Sequence, residues 1–252
     1  MRGKVKKSEN RRALPKFLLI TAASGLLGCV IGFCTAFMRF SGLNERIAAA
    51  LDAFMAAAAP WGIPATSVVT LGICLGLYGS AKRRYSAWDG ESEDAADRAD
   101  EALNWVMLLN GVQVICNFFF FAAASHYRQA VMTSVGAFLL SCGLVIFMQQ
   151  KVVDLAKRFN PEKRGSVYDT KFQKKWLDSC DEAERQQIGQ AAFRAFRTAG
   201  NACLGIWLVL MIADMEFQVG LLPSFVVLLL WGILQVSYVL ECIRISRGKR
   251  TA

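Results

Sequence analysis

Residues 53–81, AFMAAAAPWGIPATSVVTLGICLGLYGSA, run for 29 positions without a charged side chain. Residues 102–124, ALNWVMLLNGVQVICNFFFFAAA, do the same for 23. About 20 apolar residues are needed to cross a hydrocarbon core of about 30 Å. Buried helices of soluble proteins rarely run that far without a polar face. Working outward from these two stretches, the chain offers six segments of spanning length: 17–38, 63–81, 102–124, 130–148, 198–217 and 222–243. A backbone in lipid has to satisfy its own hydrogen bonds, so each span is expected to be a helix. The expected fold is therefore all-α, a polytopic membrane bundle of six transmembrane helices. Residues 1–252 form a single integral membrane domain, with helical extensions in the loops 82–101 and 149–197.

The basic residues give this series a direction. Of 29 Lys and Arg, seven precede the first span, four lie in 82–101, eleven in 151–200 and four after the last span. Only Arg39, Arg46 and Arg128 fall on the other side. Basic residues near span ends are retained in the cytoplasm, so both termini are expected there. The apolar run of the first segment exceeds the 7–15 residues of a signal-peptide core, and it is read as a retained span. The net charge of +9 fits retention and contact with anionic lipid headgroups, each Lys or Arg contributing about 1 kcal/mol near the surface. No nucleic-acid partner is expected.

Seven of the eight cysteines lie within spans and Cys180 lies in the 149–197 loop, with no CxxC and one histidine, His126. They read as small apolar side chains, so no disulfide, metal or cofactor is expected. Small residues recur at helical spacing in spans one (Gly28, Gly32) and two (Gly72, Gly76), which suits close helix packing, internal or between copies.

Three features carry candidate function. Span three bears Asn110, Gln113 and Asn117 on one helical face, with Gln235 of the last span a candidate partner. Such a face serves as interhelical glue, or it lines a hydrophilic path. Asp214 near the outer end of span five either marks the membrane boundary or takes an ion-linked role. The 82–101 and 149–197 loops hold the third feature. Acids dominate 91–101, where Ala95, Ala96, Ala99, Ala102 and Leu103 form a small apolar face of a helix entering span three. Span four is expected to continue as helix to Phe159 and to stop at Asn160-Pro161. Beyond it, Lys171, Phe172, Lys175, Trp176, Asp181, Glu182 and Glu184 form a candidate cytoplasmic interaction surface. The lysines and aromatics of 171–176 are expected to dock on the acidic 91–101 helix. Ser179-x-x-Glu182 has the capping-box pattern for a helix running into span five. Residues 43–58, ahead of Pro60, read as a separate interfacial helix, with a seventh, broken span as the competing reading.

No Walker loop, G-x-S-x-G or H-E-x-x-H is present, and the chain is not expected to be an enzyme. The run Lys175-Trp176…Ser179-Cys180-Asp181-Glu182-Ala183-Glu184, with Tyr168-Asp169 before it and basic and aromatic residues through Phe196 after it, resembles a bacterial membrane-protein family. That family, found mostly in Firmicutes, is catalogued only as a domain of unknown function. The resemblance implies a bacterial cytoplasmic membrane location and brings no catalytic residue or ligand. The sequence favours an accessory, sensory or immunity-type subunit acting through a protein partner on its cytoplasmic face. The alternative is a small permease or the membrane subunit of a transporter.

Overall fold

A computed structural model describes residues 41–87 and 93–248, together with scattered positions between 15 and 40. Among the described residues every regular element is a helix. In chain order these are α1 (Leu43–Ser86), α2 (Glu93–His126), α3 (Val131–Phe159), α4 (Phe172–Asp178), α5 (Glu182–Phe217) and α6 (Leu221–Gly248). Five of them, all but α4, are long and apolar enough to cross a membrane. The expected first span, 17–38, falls partly outside the described residues; those of its positions that are described are helical.

By packing, the chain divides into two units, residues 1–50 with 195–252 and residues 51–194. In the second unit α1, α2 and α3 share one core. Cys74, Ala81 and Tyr85 of α1 meet Ala99, Leu103 and Val106 of α2 and Met148, Val152 and Leu155 of α3. The α2 and α3 positions recur at intervals of four and three, the spacing that keeps one helical stripe against a neighbour. The α2 stripe continues unbroken through Asn110, Gln113 and Asn117, all buried. A single seam is thus apolar at one end and amide-bearing towards the other. Tyrosine–aspartate bonds tie both ends of the α1–α2 pair. Tyr85 donates to Asp100 at one end, and Tyr127 donates to Asp52 at 2.7 Å at the other.

α1 differs from expectation. The separate interfacial helix over 43–58 is not found: Leu43–Ser86 is one helix of 44 residues with Pro60 and Pro64 inside it. At 1.5 Å per residue it is about 66 Å long, roughly twice a hydrocarbon core. Each proline removes one backbone donor, a loss that apolar helices tolerate where neighbours and hydroxyls take up the freed groups. The carbonyls these prolines leave without a helix donor are those of Ala56 and Pro60; the Thr66 hydroxyl bonds to a different one, the Gly62 carbonyl, at 2.7 Å. Gly62 also lies flush against the Phe120 ring, where any Cβ would collide.

α3 ends at Phe159, immediately before Asn160-Pro161. The next residues fold back on α3. The side-chain oxygen of Gln150 accepts from the Val167 backbone at 2.9 Å and from the Ser166 hydroxyl at 3.1 Å, and Lys157 donates to the Gly165 carbonyl. Gly165 has φ +124°, a conformation side chains rarely adopt, and a Cβ there would run into the Phe172 ring. The helix start expected at Ser179…Glu182 is displaced by two residues. The Asp181 carboxylate accepts from the Glu184 backbone N–H at 2.7 Å and the Glu184 carboxylate accepts from the Asp181 backbone N–H at 3.1 Å, so the reciprocal box is Asp181-x-x-Glu184. Ser179 is engaged elsewhere: its hydroxyl donates to the Trp176 carbonyl at 2.7 Å.

In the first unit, Asp214 half-buries at the end of α5 and its carboxylate accepts the Gly220 backbone N–H at 2.7 Å. The carboxylate thereby closes the α5–α6 turn, where Gln218 and Gly220 have positive φ. Phe196 and Tyr238 stack at 4.6 Å.

Candidate functional site

The amide stripe of α2 is met by hydroxyls on both flanking helices. The Thr70 hydroxyl donates to Gln113 Oε1 at 2.9 Å, while Gln113 Nε2 donates to Ser67 at 3.0 Å, Thr66 at 3.1 Å and Asn117 Oδ1 at 2.8 Å. Asn117 Oδ1 also accepts from Ser141 of α3 at 3.0 Å, and the Ser67 and Ser141 hydroxyls are 2.7 Å apart. Thr66, Ser67 and Thr70 sit one and four residues apart on α1, which places all three on the side facing the stripe. These partners escaped the sequence reading because isolated Ser and Thr are common in apolar helices. Gln235, the expected partner, belongs to the other unit. It lies on α6 in the first unit, beside Gly200. The space left among Ser67, Thr70, Asn110, Gln113 and Ser141 is about 10 Å³, the lower limit for one water. Asn110 Nδ2, buried beside that space, has no hydrogen-bond partner.

A much larger opening of about 810 Å³ lies in the same unit, at the apolar end of the seam. The start of α2 supplies Asp97, Asp100 and Glu101 to its wall, and Phe172 and Trp176 of α4 line it as well. The two rings lie 5.7 Å apart and both are half-buried. The expected pairing of the 171–175 lysines with the acidic helix is not found among the described side chains. Lys175 pairs with Asp169 at 2.5 Å, and Lys171 and Lys174 are exposed. Asp169 is the nearer carboxylate because the 166–172 turn folds it under Lys175. The hydrogen bond from Lys175, aided by the Lys171 backbone N–H, holds Asp169 below its ordinary pKa.

The cation that does reach the cleft is Lys163, which the sequence did not single out. It is 8% exposed and forms an ion pair with Glu184, and its ammonium lies 3.6 Å from the Cys180 sulfur. Burial opposes the charge on Lys163, but the bond and charge of Glu184 outweigh it, and its pKa is raised. The bond from Lys163 chiefly, with the Asp181 backbone N–H, holds Glu184 below the usual carboxylate range against its desolvation. Asp181 and Glu182 stay exposed at the mouth of α5. Among the described residues no group of His, Cys, Asp and Glu is arranged to hold a metal.

No curated protein and no solved structure matches the chain. A family described as a protein of unknown function, DUF3169, matches residues 11–242, nearly the whole of the sequence, including the α2 stripe and the α4–α5 cap. The chain belongs to the DUF3169 family.

Proposed function

We propose that this chain is a non-enzymatic, six-span protein of the bacterial cell membrane, with both termini cytoplasmic, that acts through a protein partner on its cytoplasmic cap as an accessory, sensory or immunity-type subunit. The observation that carries this reading is the contrast between its two polar regions. The seam within the spans closes on itself around about 10 Å³, whereas the cap opens a cleft of about 810 Å³. The bonds that Gln113 and Asn117 make to hydroxyls of α1 and α3, around a space of one water at most among the described residues, suit helix cohesion better than a permeation path, which disfavours the permease alternative. The four exposed charges Lys171, Lys174, Asp181 and Glu182 border the cap and suit recognition by a partner. Anionic lipid headgroups are the remaining partner, through the cations that flank the spans.

Affinity purification from gently solubilised membranes tests the reading. A stoichiometric protein should accompany the wild type and the external-turn variant Gln129→Glu, and should be lost from Lys171→Glu/Lys174→Glu. Retention of that protein by the double variant would overturn the assignment of the surface. Substrate-driven currents in proteoliposomes of the purified chain would favour the permease alternative instead.

A further inference from the structure

The cap cleft inverts the charge of the chain around it. Overall the protein carries +9, and the 149–197 segment that forms most of the cap holds eleven Lys and Arg against seven Asp and Glu. Yet the cleft is lined by four carboxylates, Asp97, Asp100, Glu101 and Glu184, against one ammonium, Lys163. That ammonium is matched by Glu184, so the charge balance left to the cleft comes from the three acids of α2. Asp97 and Glu101 are exposed, four residues apart on one face of α2, while Asp100 accepts the Tyr85 hydroxyl. Phe172 and Trp176 line the same space, half-buried and held against each other. Aromatic faces attract cations, and the attraction grows where water is excluded. The volume of about 810 Å³ falls in the range of small-molecule sites, about 300–1,000 Å³.

We infer that the cap cleft is a binding site for an amphipathic organic cation, whose apolar body rests against Phe172 and Trp176 and whose charge faces Asp97 and Glu101. Charge complementarity selects this occupant. An anionic or neutral apolar molecule would meet three carboxylates, while the one ammonium among the described lining residues, Lys163, is already paired with Glu184. The inference rests on the reading of the cap as the working end of the protein and gives that end a ligand. The partner surface around Lys171 and Lys174 is separate from it, so either can fail alone.

The probe is tetraphenylphosphonium, with tetraphenylborate as a control of the same shape and opposite charge. Binding is measured by equilibrium dialysis on the full chain in nanodiscs of zwitterionic lipid. The phosphonium should bind saturably at one site, and the borate should not. Asp97→Asn/Glu101→Gln should weaken the phosphonium by roughly tenfold or more and leave the thermal midpoint unchanged, because both side chains are exposed. Trp176→Phe should retain most of the binding and Trp176→Ala should lose it. Absence of saturable binding, equal binding of the borate, or an unchanged affinity in the double variant would overturn the inference. So would saturable binding of a lysine-rich amphipathic peptide at this cleft without binding of the phosphonium.

Discussion

Asn117 is fully buried, and its carboxamide oxygen accepts from both Gln113 and Ser141. Replacing it with leucine removes one acceptor from two buried donors. Interhelical bonds in apolar surroundings are worth about 0.6–2 kcal/mol, so Asn117→Leu should lower stability in detergent by about 1 kcal/mol, read from thermal unfolding. Gly62 offers a sharper contrast at the same scale. A methyl there collides with the Phe120 ring, whereas a methyl on Gly72 or Gly76 meets nothing within 4 Å. Gly62→Ala should therefore cost about 1–3 kcal/mol. Gly72→Ala and Gly76→Ala should be neutral, or stabilising by up to about 1 kcal/mol through helix propensity. A tolerated Gly62→Ala would place Phe120 away from α1. The amide stripe was legible in the sequence because three amides at helical spacing in an apolar run are rare. Its partners were not, since Thr66, Ser67, Thr70 and Ser141 carry no such pattern on their own helices.

The cap shows how neighbouring residues redirect a local signal. Ser179-x-x-Glu182 and Asp181-x-x-Glu184 both satisfy the capping-box spacing, and propensity alone does not separate them. The second prevails because Ser179 is drawn into the end of α4, leaving Asp181 to start α5. Asp181→Ala should cost about 1 kcal/mol of cap stability, whereas Glu182→Ala should leave it unchanged. Lys163 was illegible for a different reason. A single lysine in a basic loop reads as solvated until the fold buries it against Glu184.

That pair gives the cap a pH dependence. Glu184 has a lowered pKa, so its contribution is complete above the ordinary carboxylate range and is lost as pH falls through the lowered value. Lys163 has a raised pKa, so its contribution is complete below the ordinary lysine value and is lost only as pH rises through the raised one. Emission from Trp176, in a chain whose other five tryptophans are replaced by phenylalanine, should stay constant from about pH 6 to 9 and shift to the red below about pH 4. A shift between pH 6 and 8 would mean that another group holds the cap.

At the scale of the whole chain, the apolar runs follow from composition, and the helix end at Phe159 follows from the Pro161 signal beyond it. The one large departure is α1, where Pro60 suggested a boundary and the helix runs on through it. Proline is a strong breaker in water, where freed carbonyls find solvent and the helix has little to lose by ending. An apolar setting removes that alternative, and the helix continues. The division of basic residues, 26 of 29 on one side of the six expected spans, is the basis of the proposed orientation. On the function proposed above, the same division would put the cleft, α4 and the start of α5 in the cytoplasm. Placement of the cap is the central claim, because a partner or ligand can act there only if the cap faces the cell interior. Cysteine-accessibility labelling in intact cells tests it most directly, in a chain whose native cysteines are replaced. An impermeant maleimide should label a cysteine introduced at Arg128 and should not label one at Gly165 or Gly248. Labelling of Gly165→Cys from outside would contradict the account.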